Sequence, residues 1–355
     1  MPSQRIAVAM SGGVDSSVAA AMLAEQRHDV FGLMMRLWSA DPHGANRCCS
    51  PEDMALARQV AAQLQIPFYV IDAQEAFKKH VVDPFVNGYA QGITPNPCIN
   101  CNRHIRWQFL LRHALAMGAT HLATGHYAQK RLTDGRYRIF RAKDRSKDQS
   151  YVLSVLGQDQ LSHALFPLGD FTKAEVRRVA RRLRLPVSER AESQDLCFVG
   201  SHGDYRAFLQ SQGVTLPPPG PIVDLHGNVL GQHQGLANYT LGQRKGIGVS
   251  ASSPLYVHAK DLRTNTLVVG PNPALSHDSF HANQVNWVIG SPPSEPIHAT
   301  VRVRYQAPET STVVIPLSGD RAEIKPITPV IGVTPGQAAV FYQDQECLGG
   351  GIIQP

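Results

Sequence analysis

The sequence predicts an α/β fold built on a parallel sheet, followed by a small β-rich central domain and a C-terminal β-barrel. Three observations carry this. Short apolar segments alternate with helical patterns through about residue 205. A glycine-rich turn, "SGGVDSS", joins the first such segment to a helix. Clear helical periodicity then fades after about residue 212, and short alternating segments separated by turns replace it. The expected divisions are 1–205, 206–274 and 275–355.

Taken in order, "IAVAM" reads as a buried strand and residues 14–25 as an Ala-rich helix. "DVFGLMMRLW" is the next strand. A helix opens at Ser50, with Pro51 at its first position, Asp53 completing a capping pattern, and Leu56, Val60 and Leu64 on one face. "PFYVID" and "THLATGH" are two further strands, the second preceded by a helix that includes Phe109 and Leu110. Ligands bind outside the carboxyl ends of the strands of such a sheet. The glycine turn, Met34 and Met35, and "ATGHYA" all fall there. "YAQKRLT" and "RYRIFRA" form a hairpin about Asp134-Gly135. A helix over 173–184 starts with a Thr172–Glu175 capping box and carries Arg177, Arg178, Arg181, Arg182 and Arg184, which read equally as a solvated basic face or as a surface for RNA. Beyond it come a Pro/Gly-rich stretch, "GVTLPPPGPIVDLHGNVLGQHQG", and β segments such as "LYVHAKD", "TLVVG", "ATVRVRY", "STVVIPL", "AEIKPI" and "AAVFYQD".

The bulk properties narrow the class. At 355 residues the chain exceeds what one core usually serves. No apolar run approaches the ~18 residues of a membrane span, and the start lacks a secretory layout, so a cytoplasmic protein with no membrane association is expected. The net charge of +6 favours a polyanionic partner. The six cysteines, Cys48, Cys49, Cys98, Cys101, Cys197 and Cys347, are too few for a disulfide framework and direct attention to metal or thiol chemistry.

"SGGVDSS" offers backbone N–H groups at a helix N-terminus, the hydroxyls of Ser11, Ser16 and Ser17, and the carboxylate of Asp15. A carboxylate facing phosphate needs a cation between them, and Mg²⁺ is the natural complement. No lysine follows where a Walker loop carries one. The turn resembles the pyrophosphate loop (PP-loop) of ATP pyrophosphatases, which adenylate a carbonyl oxygen and let pyrophosphate leave. Cys101 and Cys197 each lie in loop-like contexts, "GITPNPCINCNRHIRW" and "ESQDLCFVG". Two thiols meeting at an activated carbon suggest sulfur transfer, one carrying a persulfide and the other resolving it as a disulfide.

"SGGVDSS", "TPNPCINCN", "ATGHYA", "KDQSY", "LCFVG" and "NYTLGQRKGIGV", with "RVRYQAP" and "TPGQAAVF" in the tail, resemble the bacterial tRNA-specific 2-thiouridylases, in the same order and over nearly the whole chain. The resemblance implies adenylation of the C2 oxygen of the wobble uridine in tRNAs for Lys, Glu and Gln, then replacement of AMP by persulfide sulfur. It implies Cys101 as nucleophile and Cys197 as persulfide carrier, with Asp15 among the catalytic groups. ATP would lie against Ala9, Met10, Ser11, Gly12, Gly13, Val14, Asp15, Ser16, Met35 and Gly125. The tRNA would meet His126, Lys147, Asp148, Gln149, Arg304, Tyr305 and Gln337, with the target base by Asn96, Pro97 and Cys98. A sulfur-relay protein or cysteine desulfurase would supply the persulfide to a monomeric enzyme.

Some members carry Asp where this chain has Cys98, and there the carboxylate is proposed as a base; here either Cys98 is a thiolate helped by Arg103 or no base is needed. An iron–sulfur cluster on Cys98, Cys101 and Cys197 is a rival not favoured, and zinc on Cys98, Cys101, His104 and the Cys48–Cys49 pair is another. An amidotransferase ligase lacks its glutaminase domain here, and a non-catalytic RNA-binding module leaves the glycine turn and paired cysteines unexplained. Cys101 and Cys197 are expected to touch only when tRNA is engaged, because segment 96–102 reads as mobile.

Overall fold

The computed structural model describes residues 3–39, 50–191, 196–199, 205–214, 218–271 and 276–355; Cys48 and Cys49 lie outside them. Strands β1 (Arg5–Ala9), β2 (Asp29–Arg36), β3 (Phe68–Asp72) and β4 (His121–Ala123) form a parallel sheet. The hairpin β5 (Ala128–Thr133) and β6 (Arg136–Arg141) follows, and β7 (Ala164–Leu165) completes the sheet in the order β3-β2-β1-β4-β7. The order reverses between β1 and β4, which opens a crevice at their carboxyl ends. Apolar side chains cover both faces of the sheet. Ala7, Phe31, Leu33 and Leu122 pack on one side, and Ile6, Val8, Val30 and Met34 on the other. That two-sided burial is why these strands read as continuous apolar runs.

Helix Val14–Glu25 follows β1 directly, and helix Pro51–Gln63 starts with the Ser50–Asp53 capping box. Helix Lys173–Arg182 carries the Thr172–Glu175 box. Segment 96–102 is not a loop. Asn96 caps a short helix, Pro97–Asn100, whose next residue opens a π-helix, Cys101–Leu110. Cys101 therefore stands on helical backbone, where the abundance of Pro and Asn suggested irregular chain.

The middle sheet holds β8 (Gly220–Val223), β9 (Val229–His233), β10 (Tyr256–Asp261) and β11 (Thr266–Gly270), in the order β10-β11-β8-β9. Its first two strands fall inside the Pro/Gly-rich stretch. β12 (Ser276–His277) pairs with β17 (Val330–Ile331). The barrel runs through β13 (Phe280–Trp287), β14 (Ile297–Arg302), β15 (Thr310–Leu317), β16 (Arg321–Pro326), β18 (Ala338–Gln343) and β19 (Glu346–Ile353). Its strand order is β13-β16-β15-β14-β18-β19, and pairing of β13 with β19 closes it. Phe280, Val314, Ile324, Ala339 and Phe341 fill its interior.

The β5–β6 hairpin turns at Asp134 and Gly135, both at positive φ, as its sequence predicts. Its partner is the barrel: β6 pairs with β19, with Cys347 opposite Ile139. Ion pair Arg138–Glu346 at 2.8 Å reinforces this joint. The buried hydroxyl of Tyr151 donates to the Ala338 carbonyl at 2.8 Å. Among the described residues no helix is long and apolar enough to cross a membrane.

Candidate active site

The glycine turn is held from within by its own hydroxyls. Ser16 Oγ accepts from the Ser11 N–H at 3.2 Å and donates to the Gly13 carbonyl at 3.2 Å; Ser17 Oγ donates to the same carbonyl at 2.8 Å. Gly13 caps the helix without a side chain, which leaves the first helical N–H groups facing the crevice. Gly12 adopts a φ of +69°, and a Cβ there would strike the Asp53 carbonyl. Arg190 pins the turn from behind: Nη1 donates to the Gly12 carbonyl at 2.8 Å while Nη2 pairs with the buried Asp53 carboxylate. The "ATGHYA" segment crosses the turn at the β1/β4 reversal. A Cβ on Gly125 would come within 2.7 Å of the Ser16 nitrogen, so the close approach requires glycine.

The lysine missing after the turn arrives from far along the chain. Lys173 Nζ, mostly buried, donates to both carboxylate oxygens of Asp15 at 2.8 Å. Tyr127 Oη donates to Asp15 Oδ1 at 2.7 Å. Lys173 opens the helix that the Thr172–Glu175 box caps, and the box was legible; the direction of its lysine was not. Asp15 keeps 32% of its side-chain surface, enough to take part in a metal–phosphate contact. That carboxylate fits Mg²⁺ brought in with a nucleotide.

His126 is buried between two partners. Arg106 Nη1 is a donor, so His126 Nε2 accepts at 3.1 Å, and Nδ1–H donates to Thr124 Oγ1 at 2.8 Å. Burial, and then the Arg106 charge, hold its pKa well below the ordinary 6.5. A folded value below the unfolded one means that the unfolded chain takes up the proton first. The stabilisation from neutral His126 is complete above about pH 6.5 and is lost as pH falls below it. Thermal unfolding midpoints are expected to drop between pH 7 and pH 5, and to drop less in His126→Gln.

Asp148 and Gln149 are committed internally. Asp148 Oδ1 accepts from the Ala142 N–H at 3.0 Å and Oδ2 from Ser150 Oγ at 2.8 Å, while Gln149 Oε1 accepts from the Tyr127 N–H at 3.0 Å. This segment thus braces Tyr127, which in turn holds Asp15. Lys147 is half-buried; Arg304 and Tyr305 are exposed, and the Tyr305 ring stands 6.0 Å from that of Tyr151. Asn96 and Gln337 meet: Asn96 Nδ2 donates to Gln337 Oε1 at 3.4 Å, and Gln337 Nε2 to the Thr94 carbonyl at 3.0 Å. Residues 94–96 are thereby docked against the barrel.

Cys98 is exposed and Cys101 and Cys197 are half-buried. Cys101 and Cys197 pack against one apolar cluster containing Phe77, Phe85, Ile105, Phe198 and Phe208, and Met35 from the end of β2 joins the same cluster. Among the described residues no three His, Cys, Asp or Glu side chains stand together as a metal-ligand set. Arg103 donates to Gln284 of the barrel. On the arginine-rich helix Arg181 pairs with Glu189 and Arg182 with Glu25, while Arg177 donates to the Ser188 and Arg190 carbonyls. Cys347 is buried in the joint with β6 as a packing residue, and burial pushes its thiol up to about 12.

A glycine turn at a β1/β4 reversal, with a carboxylate and a lysine at its mouth, defines a nucleotide-dependent enzyme of the PP-loop class. Family models match the chain in three consecutive blocks: a tRNA methyl transferase HUP domain at 4–201, a tRNA methyl transferase PRC-barrel domain at 206–271 and an aminomethyltransferase β-barrel domain at 277–353. The tRNA-specific 2-thiouridylase MnmA of Moorella thermoacetica is 46% identical over 98% of both chains. Those of Magnetococcus marinus and Chloroflexus aurantiacus are each 47% identical, over 99% and 98% of both chains. The chain belongs to the tRNA-specific 2-thiouridylase family.

Proposed function

We infer that this chain is a tRNA-uridine 2-sulfurtransferase that uses ATP to activate the C2 oxygen of the wobble uridine in tRNAs for Lys, Glu and Gln. The observation that carries the reading is the pair of thiols, Cys101 and Cys197, on one apolar cluster that Met35 reaches from the nucleotide end of the sheet. ATP binds with its phosphates on the N–H groups of the glycine turn. Mg²⁺ bound with it, held by Asp15, would neutralise phosphate charge. Lys173, beside that carboxylate, adds a fixed positive charge as pyrophosphate separates.

The C2 oxygen attacks the α-phosphorus, an O–P bond forms, and pyrophosphate leaves. The terminal sulfur of a Cys197 persulfide then attacks C2 and expels AMP, leaving the sulfur bonded to both C2 and Cys197. The Cys101 thiolate attacks the Cys197 sulfur, so that a Cys101–Cys197 disulfide forms as the S–S bond to the uridine sulfur breaks. 2-Thiouridine is released, and a thiol reductant restores the cysteines. The persulfide comes from a sulfur-relay protein or a cysteine desulfurase.

The descriptions of the family models mention methyl transfer, which would give neither the two cysteines nor the PP-loop a task. The test is anaerobic incubation of iron-free protein with unmodified tRNA, ATP, Mg²⁺ and a persulfide donor. Formation of 2-thiouridine with one AMP and one pyrophosphate per base is expected. A requirement for iron would remove the persulfide step, and absence of AMP would remove the adenylation.

A further inference from the structure

The π-helix that opens at Cys101 is gripped at two points, and one of them is a strained residue of the barrel. Arg103, two residues after Cys101, donates from Nη1 to Gln284 Oε1 at 2.9 Å and from Nη2 to the Gln284 carbonyl at 3.1 Å. Gln284 has a φ of +49°, a left-handed conformation that a non-glycine side chain adopts only where its surroundings impose it. It lies where the ladder between β13 and β19 breaks register, between Asn283 opposite Ile352 and Asn286 opposite Gly350. The neighbours of this bulge are tied down. The Val285 N–H donates to the Asp320 carbonyl at 2.8 Å, and Asn286 Nδ2 donates to the carbonyls of Ser154 and Leu156. Three residues beyond Arg103, Arg106 holds His126 beside the glycine turn.

We propose that Arg103 and Gln284 form a positioning clamp by which the barrel fixes the Cys101 end of the π-helix for sulfur release. The clamp rests on the reading of Cys101 as the sulfur-releasing thiol. A two-point guanidinium contact restrains both direction and distance, which a single contact cannot. The bulge presents its acceptors outward because its two residues have left the ladder. The wide turns of the π-helix carry Arg103 to the barrel while Cys101 stays with the apolar cluster of Cys197. Neither clamp residue touches the nucleotide turn, so adenylation does not depend on it.

The experiment measures pyrophosphate released and 2-thiouridine formed by the full-length enzyme with tRNA, ATP and a persulfide donor. Arg103→Lys and Gln284→Gly are expected to keep pyrophosphate release within about twofold of wild type while 2-thiouridine falls about tenfold or more. Gln284→Gly suits the left-handed backbone and, of the two acceptors that Arg103 uses, removes the side-chain Oε1 and keeps the carbonyl, so its unfolding midpoint should not fall. Gln284→Glu keeps an acceptor and is expected to restore the wild-type ratio of products. A parallel fall of both products, or no change in either, overturns the clamp. Cys101→Ser is run alongside. If it forms 2-thiouridine at the wild-type rate, the reading of Cys101 fails and the clamp with it; if it does not, while Arg103→Lys and Gln284→Gly keep the wild-type ratio, the clamp alone fails.

Discussion

Cys197→Ser is expected to lower 2-thiouridine formation by on the order of 10³-fold or more while tRNA-dependent pyrophosphate release continues. Serine cannot carry a persulfide, whereas the glycine turn, Asp15 and Lys173, to which the proposed adenylation is assigned, remain intact. Cys101→Ser is expected to fail differently. The sulfur reaches C2 but stays bonded to Cys197, so tRNA accumulates as a covalent adduct that added dithiothreitol releases. Denaturing gels of enzyme with labelled tRNA, with and without reductant, read both outcomes. An adduct in Cys197→Ser, or none in Cys101→Ser, would exchange the roles of the two cysteines.

Lys173→Met has the second largest expected effect, and it falls on the earlier step. Removing a fixed cation from a phosphate site costs about 10²–10³-fold in rate, so pyrophosphate release and thiolation should fall together by that factor. The change also leaves Asp15, among the described residues, to the Tyr127 hydroxyl, a loss of about 2 kcal/mol in a site that is not fully dry. Asp15→Asn added to Lys173→Met should recover much of that stability without recovering activity. Thermal unfolding and pyrophosphate assays on the two variants separate these contributions. Full adenylation in Lys173→Met would show that the lysine only neutralises Asp15.

The glycine turn was legible because the groups that hold it from within are close in sequence: Ser11, Gly13, Ser16 and Ser17 bond to one another; Arg190, which pins it from behind, was not. Capping boxes at Ser50 and Thr172 were legible for the same reason, spanning three residues each. Lys173 was not, because it meets Asp15 from 158 residues away and nothing local marks its direction. The ion pairs of Arg181 and Arg182 were not legible either, because their carboxylates, Glu189 and Glu25, come from outside the helix. The π-helix at Cys101 was hidden by Pro97, Asn96, Asn100 and Asn102, which favour irregular chain in general. Here Asn96 caps the preceding turn and Asn102 Nδ2 bonds the Cys98 carbonyl, so they build helix instead. The hairpin at Asp134-Gly135 announced its turn but could not announce its partner, since ladder pairing depends on edges exposed elsewhere.

That partnership has a consequence for how the molecule is made. Strands β5 and β6 are synthesised long before β19, and 208 residues separate Arg138 from the Glu346 that pairs with it. Until β19 leaves the ribosome, the hairpin keeps an unpaired edge and the barrel lacks the strand that closes it. Such distant pairing is slow to form and exposes edges to neighbouring chains in the meantime. The nucleotide crevice adjoins the same hairpin through Tyr127. A nascent chain stalled within the barrel would therefore hold an incompletely braced crevice, and competence would arrive late, with the final ladder rather than with the first domain.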